Sequence, residues 1–88
     1  MKSVTVGKYI LDYEVTNISQ HGFWVYYFGN EYYVPFSHFP WFRESKISDI
    51  LNLKADRNGN LYWPDLDVDL SIKIIENPEN YPLVSKIN

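Results

Sequence analysis

Residues 23–36 read FWVYYFGNEYYVPF. The stretch is β-branched and aromatic on both sides of a Gly29-Asn30 pair, which is the composition of a hairpin. Glycine in the first loop position allows the positive φ of a type II′ turn, so a Gly29-Asn30 loop sets Tyr27 opposite Tyr32, Tyr26 opposite Tyr33 and Val25 opposite Val34. Side chains alternate along a strand. One face therefore carries Phe23, Val25, Tyr27, Tyr32, Val34 and Phe36, and the other carries Trp24, Tyr26, Phe28, Glu31 and Tyr33. A sheet wetted on one side alternates apolar with polar residues, whereas both faces here are aromatic. The second face needs a cover, and a partner molecule or a second copy of the chain would supply one.

Working outward, Val15 to Ser19 reads as a strand that reaches the hairpin through a turn at His21-Gly22. Downstream, LKADRNGNLYWP (53–64) forms a second hairpin. A three-residue loop, Arg57-Asn58-Gly59, ends on a glycine suited to the left-handed position of a bulge and sets Ala55 opposite Leu61. The two-residue alternative mixes apolar with charged residues on each face, and a one-residue slip exchanges every side chain between core and water. Between the hairpins, Ile47, Ile50 and Leu51 have the spacing of one apolar helical face, with Ser45 as N-cap and Asp49 in the early turns. The Phe39-Pro40-Trp41-Phe42 run before it reads as a turn or single 3₁₀ turn that plugs aromatic side chains into the sheet. Pro78 and Pro82 bar a regular helix or central strand in the tail, although Leu83 and Val84 can still pack on the domain.

The fold expected is α+β: one small antiparallel sheet of hairpins, about five strands, with one short helix, all in a single domain over residues 1–88. A chain of 88 residues needs an efficient core, and its composition, 18% aromatic with three tryptophans, provides one. Cysteine is absent, so neither disulfides nor thiolate–zinc ligation staples it. Eight Lys and Arg against eleven Asp and Glu give a net charge of −3, and the basic residues are scattered. Nucleic-acid binding draws on clustered basic side chains, so direct contact with DNA or RNA is not expected. The amino terminus lacks an apolar run of signal-peptide length, and no stretch is long enough to span a membrane, which makes cytoplasmic residence the expectation.

One stretch imitates a metal site. DLDVDLSIKIIE (65–76) places Asp65, Asp67, Asp69 and Glu76 close to the ligand spacing of a calcium-binding EF-hand loop. That loop requires glycine at its sixth position, where the backbone turns sharply, and Leu70 stands there instead. The alternative is a strand in which Leu66, Val68, Leu70 and Ile72 point inward at period two while the aspartates face water or a partner. His21 and His38 have no nucleophile, cysteine or glutamate at catalytic or metal-ligating spacing, and the four glycines are too far apart to cradle phosphate. No catalytic residue, cofactor or metal ligand is assigned. The expected function is a non-enzymatic protein-binding module whose partner-binding residues are Trp24, Tyr26, Tyr33, Asp65, Asp67 and Asp69, because aromatic side chains are favoured interface anchors. The alternative is a calcium- or magnesium-binding protein, or a metal-dependent hydrolase, centred on the three aspartates.

Several stretches together carry a family likeness: YILDYEVTNISQHGFWV, EYYVPFSHFPWF, LYWPDLDVDL and IENPENYPLVSK. Over about Tyr9 to Lys86 they resemble the bacterial family known as domain of unknown function 2442. The resemblance implies a small α+β domain with an antiparallel sheet and a short helix. It implies no enzymatic activity and transfers no catalytic residue. It also implies a protein partner encoded by an adjacent gene, from another uncharacterised family (number 4160), in a pairing read as toxin and antitoxin. Relatives fused to a helix-turn-helix domain exist. This chain ends too soon for one, so direct operator binding is not expected of it.

Overall fold

The computed structural model describes residues 12–80. Among the described residues, six strands form two antiparallel three-stranded meanders. The first contains β1 (Tyr13–Ile18), β2 (Gly22–Tyr27) and β3 (Asn30–Pro35), with β2 in the middle. The second contains β4 (Lys54–Ala55), β5 (Asn60–Trp63) and β6 (Val68–Ser71), with β5 in the middle. Two five-residue helices, α1 (Ile47–Leu51) and α2 (Ile72–Glu76), and 3₁₀ turns at Pro40–Phe42 and Pro78–Asn80 complete it. The class is α+β with small sheets, as expected. Two sheets and two helices replace the single sheet and single helix of the sequence reading. Leu83 and Val84 lie outside the described residues.

The first hairpin turns one residue earlier than the sequence suggests. Its loop is Phe28-Gly29, with φ of 42° and 96°, the double positive φ of a type I′ turn, whose twist matches the flanking strands. Tyr27 therefore faces Asn30, Val25 faces Tyr32, and Trp24 faces Tyr33. Each partner moves by two residues, an even shift, so the two faces keep the residues assigned to them. Phe23, Val25 and Val34 are fully buried, with Tyr27 and Phe36 nearly so. A phenylalanine at positive φ costs about 1–2 kcal/mol relative to glycine. Its ring is held edge-on by Tyr27, with centroids 4.7 Å apart, and lies 5.5 Å below the Arg57 guanidinium.

The second hairpin takes the expected register, Ala55 opposite Leu61, with Gly59 at φ 88°. Asp56 closes this loop. Its carboxylate accepts from the Asn58 N–H (2.8 Å), the Asn60 N–H (3.1 Å) and the Asn60 side-chain amide (2.9 Å). These donors, the Asn60 side chain foremost, hold the Asp56 carboxyl below its ordinary value of 3.8. A lowered folded pKa contributes stability that is present above the unfolded value and is lost as pH falls through the folded one. Thermal melts of wild type and Asp56→Ala should therefore separate above about pH 4, with wild type the more stable, and draw together as the pH is lowered through the depressed folded value. The Tyr27 hydroxyl donates to the Asp56 carbonyl and accepts from the Gly59 N–H (2.8 Å), which ties this loop to the first sheet.

The sheets face each other across an aromatic core. Phe42 of the 3₁₀ turn sits edge-on to both Phe23 of β2 and Trp63 of β5, at 4.9 Å each, and Phe23 meets Trp63 at 5.9 Å. All three are fully buried. The expected plugging of aromatic side chains by residues 39–42 is observed, since Phe39 is buried too. The Trp63 indole donates to the Ile50 carbonyl at 2.8 Å, so this ring also docks α1 by its last turn.

Two helix details differ from the sequence reading. Lys46, not Ser45, occupies the N-cap of α1 and makes no side-chain cap, while the Ser45 hydroxyl donates to the Trp41 carbonyl. In so short a helix only Ile50 reaches the core, and Ile47 and Leu51 remain 62% and 51% exposed. Ile72, expected to continue the strand pattern, instead opens α2, which the Ser71 hydroxyl caps by accepting from the Ile74 N–H at 3.2 Å. The inward period-two pattern is strict only at Val68 and Leu70, which are buried. Leu66 falls in the β5–β6 turn and Ile72 starts the helix, each half-buried.

Candidate functional site

Strand alternation determines the site. Phe23, Val25 and Tyr27 of β2 point into the core, so Trp24 and Tyr26 point the other way. Trp24 is 40% exposed and leans on Tyr33, directly opposite on β3, with ring centroids 5.1 Å apart and planes tilted by 45°. Tyr26 and Tyr33 are half-buried. Next along the strand is Gly22, opposite Pro35. A Cβ on Gly22 would stand 2.5 Å from the Val34 carbonyl oxygen, 2.9 Å from the Pro35 Cα and 2.8 Å from the Tyr33 hydroxyl. The missing side chain lets the Tyr33 ring lie across the strand, and Trp24 packs on that ring. Two of the three clashes are with backbone, which cannot swing aside. Gly22→Ala should therefore cost about 2–3 kcal/mol in urea unfolding.

The aspartates are elsewhere. The inner faces of the sheets meet through Phe23 and Trp63, so side chains alternating with Trp63, namely Tyr62 and Asp69, point away from the first sheet. Asp69 is exposed opposite Tyr62. Asp65 and Asp67 lie in the β5–β6 turn, both exposed. Asp65 accepts from the Asn52 side-chain amide at 2.8 Å, and Asp67 takes φ 54°. Trp24, Tyr26 and Tyr33 thus share the outer face of the first sheet, whereas Asp69 stands on the outer face of the second and Asp65 and Asp67 stand in the turn that precedes it. Among the described residues, no group of three His, Cys, Asp or Glu is placed to hold a metal ion, and no helix is long and apolar enough to cross a membrane.

One feature of the aromatic face escaped the sequence. At its Gly22 end opens a cleft lined by Gln20, His21, Tyr33, Pro35, Ser37 and Arg43 among others, with no acidic residue. Gln20 and His21 touch through their side chains at 3.3 Å. Arg43 is 22 positions from His21 in sequence and reaches the cleft because the 3₁₀ turn folds back, its N–H donating to the Pro40 carbonyl at 3.1 Å. No sequence spacing announces that approach.

A family model described as "Protein of unknown function (DUF2442)" matches residues 12–81. No curated protein and no solved structure matches the chain.

Proposed function

The chain belongs to the DUF2442 family, and from that membership and the geometry of the first sheet we propose that it is a non-enzymatic protein-binding module, the antitoxin-like half of a two-gene pair. One observation carries the reading. The middle strand of a three-stranded sheet presents a tryptophan, braced by a tyrosine, on the face turned away from the core. A half-exposed Trp with a rigid neighbour gives large contact area at little entropic cost, which is why such side chains anchor interfaces. The mechanism is occlusion: the aromatic face covers a functional surface of the partner and holds it there. Aromatic burial sets the dissociation rate, and the acidic turn and strand of the second sheet influence encounter and partner choice through long-range charge. The cytoplasm is the compartment this reading supposes.

Co-expression with the product of the adjacent gene tests it. A stable complex that rescues growth supports the reading, and a chain that purifies alone or as a homo-oligomer refutes it. The metal-binding alternative has its own assay. Calorimetric titration with Ca²⁺ and Mg²⁺ should show no saturable binding below about millimolar concentration, the weak end of known calcium modules. Tight binding abolished by Asp67→Ala would replace the present reading.

A further inference from the structure

We infer that the aromatic face recognises an extended polypeptide segment of mixed charge, with an anionic side chain at the cleft and a cationic one at the opposite end; the inference rests on the protein-binding reading. The register lays out the face in rows. In one row, Tyr26 lies between Glu14 on β1 and Glu31 on β3, and both glutamates are exposed. In the next, Trp24 stands opposite Tyr33. Beyond Gly22 comes the cleft, where Arg43, His21 and Gln20 gather without a carboxylate. A chain of net charge −3 thus presents a face that is acidic at one end, aromatic in the middle and basic at the other.

The rows fix a ruler. From Tyr26 to Gly22 is four residues of strand, or roughly 13 Å at ~3.3 Å per residue. An extended peptide has the same rise, so its charged side chains stand about four residues apart with an apolar one midway. All three then point to the same side, as period two requires. Arg43 supplies the planar fork that suits a carboxylate, and Glu14 and Glu31 take a lysine or arginine between them. The midway apolar side chain covers Trp24. A helix would place the same three groups over a different spacing and on a curved surface. The flat sheet and its two-residue period favour the extended form.

Three capped pentapeptides test this on the full chain by amide NMR titration: Glu-Thr-Leu-Thr-Lys, Lys-Thr-Leu-Thr-Lys and Glu-Thr-Leu-Thr-Glu. The mixed peptide should bind in the millimolar range and shift the amides of His21, Trp24, Tyr26 and Arg43. Each like-charged peptide should bind about threefold more weakly, the worth of one exposed ion pair. Arg43→Glu should reverse the order in favour of the doubly basic peptide. Equal affinity for all three, abolished by Trp24→Ala, would overturn the charge pattern while leaving the aromatic anchor standing. Absence of binding by every peptide, or shifts confined to other surfaces, would overturn the inference outright. Loss of the adjacent-gene complex in Trp24→Ala but not in Arg43→Glu would separate the two ideas in the same way.

Discussion

Trp63→Ala is expected to destabilise the domain by about 4 kcal/mol, in the range of buried aromatic truncations. Domains of this size are held by only about 5–15 kcal/mol, so the variant should unfold at far lower urea than wild type. Three losses combine. The ring is fully buried and touches Phe23 and Phe42, so its removal opens a void between the sheets. It also takes away the donor to the Ile50 carbonyl, leaving a buried acceptor unpaired at about 1–3 kcal/mol. Finally, α1 loses the contact that fixes its last turn. Trp63→Phe helps to separate these effects, because it keeps most of the volume while removing the indole N–H with the smaller ring. It should cost roughly half as much as alanine and should preferentially speed hydrogen exchange in α1. A cost under about 1 kcal/mol for Trp63→Ala would mean that the sheets are held by contacts other than this trio.

Much of this core was legible in the sequence, because strand alternation is a strong signal. Alternation places Phe23, Val25 and Val34 inward even with the turn one residue off, because the shift in pairing is even. The position of the turn differs from the expectation for a physical reason. Glycine is the obvious residue for positive φ, and a phenylalanine is an unlikely one, yet Phe28 accepts that conformation with Tyr27 and Arg57 against its ring. The helix at residues 72–76 was hidden by its β-branched isoleucines and announced only by Ser71, a cap indistinguishable in sequence from an ordinary strand residue. For the candidate site, Trp24, Tyr26 and Tyr33 were grouped correctly by the same alternation. Their separation from Asp65, Asp67 and Asp69 depends on how one sheet packs on the other, through residues far apart in sequence. The bulge that shifts the pairing between Val15 and Asn17 sets which β1 residues flank the aromatic rows, and no residue near Thr16 advertises it.

Trp24→Ala should weaken the complex with the adjacent gene product by about 30-fold, the factor that corresponds to a 2 kcal/mol anchor. The loss should fall mainly on the dissociation rate, because the substitution removes contact area and leaves the charge unchanged. Trp24 is partly in water and its ring leans on Tyr33, so the free domain should lose no more than about 1.5 kcal/mol. That contrast with Trp63 is the diagnostic part: under the proposed function, one substitution should act on folding and the other on association. Trp24→Phe should recover part of the affinity. If Trp24→Ala binds as tightly as wild type, this face is not the anchor.

The proposed function puts the partner on the outer face of the first sheet. The most direct measurement is an NMR cross-saturation map of the co-expressed complex, read on this chain. Attenuation is expected at Trp24, Tyr26, Tyr33 and their row neighbours Glu14 and Glu31, with Tyr62 and Asp69 untouched. A footprint centred on Tyr62, Asp69 and the Asp65–Asp67 turn, with Trp24 still open to solvent, would contradict it.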